Sequence, residues 1–161
     1  MSDARERLNV DLALRYHRAV SEGATGQDLA RFLAPGLVHH ELPNALFPDG
    51  VVRDLSAILE AAVKGGKGVS DQRFDVLNAV AAGDQVAMEV VWSGTLAVPY
   101  GPLPAGHVLR AHIATFLEIH DGRITAQRNY DCYERLDAGP GGAPGVPGSA
   151  AQAGAGRPAE R

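Results

Sequence analysis

The chain has 161 residues, of which 45% are apolar and 21% charged, and 15 basic against 19 acidic side chains give a formal net charge of −4. That balance describes one domain large enough to bury a core, and it excludes a disordered chain and the basic footprint of a nucleic-acid binder. The lone cysteine, Cys132, excludes an intrachain disulfide and any cysteine-cluster metal site. The charged start MSDARERLNV lacks an apolar signal core and no apolar run approaches membrane length, so a cytoplasmic chain with no membrane partner is expected.

In chain order, Leu8, Leu12 and Tyr16 stand four apart and predict an amphipathic helix over about 3–22, which Gly23 ends. Thr25 reads as the N-cap of a short second helix carrying Leu29, Phe32 and Leu33, stopped by Pro35-Gly36. Residues 37–42 read as a short strand, and 44–50 as a loop folding back on something apolar. Asp54 caps a third helix in which Leu55, Ile58, Leu59 and Ala62 share a face, ended by the glycines at 65–68. The glycines there lack the spacing of a phosphate loop. From Asp71 the period changes to two. Phe74, Val76 and Val80 alternate up to the turn at 82–84, and Val86, Met88, Val90, Trp92 and Leu96 share one face of the next strand. Helices followed by an antiparallel meander make an α+β order. Residues 1–137 form the domain. Residues 138–161, mostly Ala, Gly and Pro with no aromatic, cannot supply a core and are expected to be disordered.

Residues 106–136 are the densest in chemistry. His120-Asp121-Gly122-Arg123 predicts a hairpin turn between two long strands. Leu109, Ala111, Ile113, Leu117 and Ile119 alternate with Arg110, His112, Phe116 and Glu118. After the turn come Arg128, Asn129, Tyr130, Asp131, Cys132, Tyr133 and Glu134. Polar groups on a covered strand face must be paired or face a cavity. Asp131 in an apolar setting would hold its proton more tightly, and a nearby Arg110 would loosen it again. Such a carboxylate could move a proton on a carbon acid, or it could simply pair with Arg110 as a structural link. Asn129 shares parity with Asp131 and could donate to an oxyanion. Cys132 has the other parity and reads as a small buried apolar residue. In His39-His40-Glu41, His39 and Glu41 share one face and His40 has the other. His40 is the candidate for the cavity. The chain offers no closed metal-ligand set, so neither metal nor cofactor is expected. Trp92, Phe74, Phe116 and Phe47 read as core or pocket wall.

His39-His40-Glu41-Leu42-Pro43, Val90-Val91-Trp92-Ser93-Gly94, and 121–124 through Asn129-Tyr130-Asp131 together resemble the SnoaL-like polyketide cyclases. These belong to the nuclear transport factor 2-like superfamily with ketosteroid isomerases and limonene epoxide hydrolases, and the resemblance covers about 8–136. It implies a cone-shaped (cystatin-like) α+β fold, with three N-terminal helices on a strongly bent antiparallel sheet, commonly in a homodimer. It also implies an apolar pocket in which Asp131 and His112 are the catalytic acid/base pair. The residues themselves offer Arg110, His40, Asn129, Trp92 and Phe116 as the expected surroundings of a small apolar or polycyclic substrate. The implied function is a cofactor-independent cyclase or isomerase of secondary metabolism. A non-catalytic ligand-binding dimeric module and an epoxide-hydrolase-like enzyme are the alternatives, the latter weakened because Arg110-Ala111-His112 stands where hydrolase relatives show Arg-x-Asp.

Overall fold

A computed structural model describes residues 2–136; the expectation for the tail 138–161 lies outside them. Helix α1 spans Ser2–Ser21 and α2 Gly26–Ala30. Strands β1 (Leu33–Glu41) and β2 (Val51–Arg53) precede helix α3 (Leu55–Gly68). Four long strands follow: β3 Val69–Ala82, β4 Gln85–Leu96, β5 Val108–His120 and β6 Arg123–Tyr133. They form one curved, unclosed sheet in the order β2-β1-β6-β5-β4-β3. Every neighbouring pair is antiparallel except β1 and β6, which run parallel.

Local chemistry explains most boundaries. Asp121 and Gly122 both take positive φ (50° and 68°), the mirror-image turn that matches strand twist and that Asp-Gly tolerates. Asp54 caps α3, its carboxylate accepting from Ala57 N at 2.8 Å. Thr25 sits at the N-cap of α2 without making a side-chain bond. Phe32 and Leu33 leave the second helix, and Leu33 opens β1 because Pro35-Gly36 is accommodated inside a strand with an irregular register. Helix α3 continues through the glycines to Gly68, and β2 is a strand of three residues that the pattern did not announce.

The core lies on the concave face. Leu33, Val86, Val90, Leu117, Ile119 and Ile124 are buried there, covered by α1. The buried stripe of α1 runs through Asn9, Leu12, Ala13, Tyr16 and His17, whereas Leu8 is exposed. The start of α1 grips the β3–β4 turn: Glu6 accepts from Gly83 N at 2.9 Å, Asn9 donates to Gly83 O at 3.2 Å, and Arg5 pairs with Asp84 at 3.1 Å. Among the described residues no helix is long and apolar enough to cross a membrane.

Candidate active site

Cross-strand register decides which side chains meet. Ile113 pairs with Asp131, Thr115 with Asn129 and Leu117 with Gln127, so these share the inner face with Val90 and Met88 of β4. The parallel seam adds His39 opposite Gln127 and Glu41 opposite Asn129, and β2 sets Arg53 opposite His39. A cavity of about 340 Å³ opens between this wall and the helices. Its apolar lining includes Val20, Leu29, Phe47, Ile58, Phe74 and Val90; its polar wall includes Tyr16, His39, Glu41, Arg53, Gln127 and Asn129.

Glu41, 8% exposed, is held at both oxygens. Arg53 Nη1 donates to Oε2 at 2.9 Å and Asn44 Nδ2 to Oε1 at 3.2 Å. The same Asn44 folds the loop beyond β1, its Oδ1 accepting from the backbone of Leu46 and Phe47. That loop brings Phe47 into the cavity wall and under the Arg53 guanidinium, 5.4 Å from the ring centre. Asp131 lies against Glu41 and is not part of the cavity lining. Burial pushes its carboxyl up to about 7, and the Glu41 charge and a hydrogen bond with Glu41 add to the rise. Its Oδ1 is buried without a partner among the described residues.

The surrounding groups stay neutral. Burial, with the Arg53 charge, lowers His39 to about 4 despite Glu41, so the imidazole is uncharged near neutrality; its Nδ1 is buried and has no partner among the described residues. His17 is also lowered by burial, and its Nδ1 donates to Ala13 O at 3.0 Å. Burial, then the Asp131 and Glu41 charges, raise the Tyr133 phenol, which therefore keeps its proton. The result is one fixed ion pair, one carboxyl poised near neutral pH and an otherwise uncharged apolar pocket.

Several expected residues lie elsewhere. His112 is on the outer face, opposite Cys132, and its Nε2 meets Glu134 Oε1 at 2.9 Å rather than Asp131. Arg110 joins the same Glu134 at 3.2 Å, so it does not lower Asp131; the neighbour that sets Asp131 is Glu41. Phe116 is outside too, its ring 5.9 Å from that of Tyr130. The reason is common to all three: the apolar set from Leu109 to Ile119 takes the concave side, and alternation sends the intervening residues out. His40 shares the outer side with Arg128 and Val52, and His39 and Glu41 take the cavity. Cys132 is exposed rather than buried. Trp92 is on the inner face but behind the cavity, packed between Phe74 and Tyr133, with its Nε1 donating to Gln72 at 3.3 Å. Asn129 lines the cavity. Sequence pattern alone does not mark Tyr16, His39, Glu41, Arg53 or Gln127 as cavity residues. Only the shared face of His39 and Glu41 with buried Leu37 could have pointed to two of them.

Among the described residues no group of three or more His, Cys, Asp or Glu is arranged to hold a metal ion. A separate cleft beside α1, lined by Arg15, Arg18 and Arg31, lies away from the acid pair.

Solved structures share this architecture. The polyketide cyclase IdmH of Streptomyces antibioticus, itself described as putative, superposes with a TM-score of 0.65 at 24% identity, over 76% of this chain and 91% of that one. A Catenulispora acidiphila protein with a ketosteroid isomerase-like fold gives 0.58 at 17%, over 75% and 85%. An epoxide hydrolase of the limonene type from Mycobacterium tuberculosis gives 0.61 at 16%, over 79% and 84%. No curated protein sequence matches the chain significantly. The fold is therefore the ketosteroid isomerase-like, nuclear transport factor 2-like cone expected from sequence. The sequence model of the SnoaL-like polyketide cyclases matches residues 10–136, and the chain belongs to that family.

Proposed function

We propose that the protein is a cofactor-independent cyclase or isomerase of polyketide-type metabolism that moves a proton on a carbonyl-bearing apolar substrate. The observation that carries this reading is the Glu41–Asp131 pair: one carboxylate at the cavity wall, backed by a carboxyl raised to about 7. Near neutrality such a pair holds a single proton part of the time, so it can both give and take one. Glu41 meets the substrate, Asp131 shares the proton, and Arg53 and Asn44 fix the Glu41 geometry. A carbon-bound α-hydrogen would pass to the pair, leaving an enolate whose closure on a second carbonyl, or reprotonation elsewhere, returns the proton.

The test is exchange of the α-hydrogens of 1-tetralone for solvent deuterium, followed by NMR. The protein should accelerate exchange above buffer, and Glu41→Gln should lower that acceleration by about 10²–10⁴-fold, the usual share of a general base. Exchange at the buffer rate, or at the wild-type rate in a folded Glu41→Gln variant, would remove the proton-transfer role. A second reading, hydrolysis of an epoxide, is favoured by the same pair, since one carboxyl can protonate the ring oxygen while its partner takes a proton from water. Diol formation from an apolar epoxide would single it out.

This reading also has the chain working as a homodimer through the outer sheet face, where Phe116, Tyr130 and Val80 are exposed beside one another's strands.

A further inference from the structure

The inner wall carries a chain of hydrogen bonds whose direction can be read. The Tyr16 hydroxyl meets Gln127 Oε1 at 3.0 Å, Gln127 Nε2 meets Asn129 Oδ1 at 3.1 Å, and Thr115 Oγ1 meets the same Asn129 oxygen at 3.2 Å. A carboxamide looks much the same after a half-turn, so the two amides have two self-consistent arrangements. In one, nitrogen faces the cavity at Asn129; in the other, oxygen does.

The phenol decides between them. Tyr16 is 5% exposed, and Gln127 is its hydroxyl's only hydrogen-bond partner among the described residues. A buried O–H needs an acceptor. Burial also raises the phenol's pKa, so the hydrogen stays on it. Gln127 must therefore turn Oε1 to Tyr16 and Nε2 to Asn129. Asn129 must turn its oxygen inward, where two donors already fill it. Its Nδ2 is left without a partner among the described residues, at a residue that lines the cavity.

We propose that Tyr16, acting through Gln127, holds the Asn129 amide with its N–H outward, so that the cavity selects apolar ligands carrying a bare acceptor oxygen, a carbonyl or enolate, at that point. Tyr16 and Gln127 are positioning residues, and Asn129 is the group that touches the ligand. The placement suits the chemistry, because Glu41 stands in register with Asn129 across the β1–β6 seam. An oxygen bound by Asn129 therefore sits beside the acid pair, where negative charge would develop during proton removal. The inference deepens the proton-transfer reading but is a statement about binding selectivity.

The experiment compares three bicyclic probes by calorimetry: 1-tetralone, an acceptor only; tetralin, the same rings without oxygen; and indole, an N–H donor. Wild type should bind 1-tetralone about three- to ten-fold more tightly than tetralin, the worth of one net hydrogen bond. In Tyr16→Phe the chain loses its fixed direction, so that preference should fall towards unity and indole should gain on 1-tetralone. A purely structural Tyr16 would lower the melting temperature and leave the ratios alone. Unchanged ratios in folded Tyr16→Phe, or no 1-tetralone preference in wild type (including no binding of any probe), would overturn the proposal. If Tyr16→Phe does not fold, the side-chain amide resonance of Asn129 in wild type, assigned with Asn129→Asp, takes its place. It must move with 1-tetralone and not with tetralin, and a resonance that stays put overturns the proposal. A wild type that shows the preference but never exchanges refutes only the proton-transfer reading.

Discussion

The two faces of β5 and β6 carry comparable numbers of polar side chains and use them in opposite ways. Outside, Arg110 and His112 converge on Glu134, all about half exposed, and Arg128 meets Glu118 at 2.7 Å, both about one-third exposed. Water screens these pairs, and each adjusts to its neighbours at little cost. Inside, Asn129, Asp131, Gln127 and Thr115 sit among apolar side chains, and their hydrogen-bond directions and proton affinities are fixed by one another. Polar side chains are surface solvation on one side and a candidate site on the other. Burial makes the difference.

The widest gap between the faces should appear in proton exchange. Glu41→Gln should lose most of the acceleration of 1-tetralone exchange, whereas His112→Ala should keep it within about two-fold, since His112 points away from the cavity. A His112→Ala variant as inactive as Glu41→Gln would erase the distinction. Stability should separate the faces next, at adjacent residues. Leu117, fully buried, should cost about 2–5 kcal/mol as Leu117→Ala, and Phe116→Ala, on the exposed side, about 1 kcal/mol or less in the monomer. Chemical denaturation of both variants reads this directly. Phe116→Glu should also dissociate the proposed dimer, which light scattering at micromolar concentration would show; a monomeric wild type would remove the dimer altogether.

A subtler difference lies in pH. The folded-state pKa of Asp131, about 7, stands above the ordinary 3.8, so the fold binds this proton more tightly than the unfolded chain does. The stability it contributes is complete below about pH 4 and is lost as pH rises through 7. Asp131→Asn removes that dependence, so the variant should gain on wild type steadily between pH 4 and 8. His39 acts in the opposite sense: lowered to about 4, it contributes stability above 6.5 that is lost as pH falls towards 4. Asp131→Asn falling behind wild type as pH rises would mean that the carboxylate is stabilised by a partner other than Glu41. The smallest effect belongs to the outer ion pairs, where Arg128→Ala should change stability by no more than about 1 kcal/mol.

Period and turn chemistry made much of this architecture legible. The Asp121-Gly122 hairpin, the Asp54 cap, the long β4 and the inward parity shared by Asn129 and Asp131 can all be read locally. The assignment of faces could not be read so simply. On β5 the apolar row is the concave one, and expecting its polar companions to line a cavity misplaced Arg110, His112 and Phe116. On β1 both faces are mixed, so alternation separates His40 from His39 and Glu41 without saying which side faces in. Glu41 beside Asp131 is a contact across 90 positions of sequence, made by a parallel pairing that no local pattern encodes. Strand β2, three residues long, is too short to show a period.

That parallel seam has a consequence for how the site comes into being. Of the strand pairings, β1 with β6 encloses the longest stretch of chain, and such loops are the entropically dearest to close. His39 and Glu41 stand on one side of it and Gln127, Asn129 and Asp131 on the other. During synthesis the helices and the β3–β4 hairpin can form while the polar wall is still in two halves. Binding capacity should therefore be all-or-none with respect to β6: ribosome-bound or proteolytic fragments ending before it can be compact and still hold no pocket chemistry, and in refolding experiments ligand binding should recover with the slowest phase.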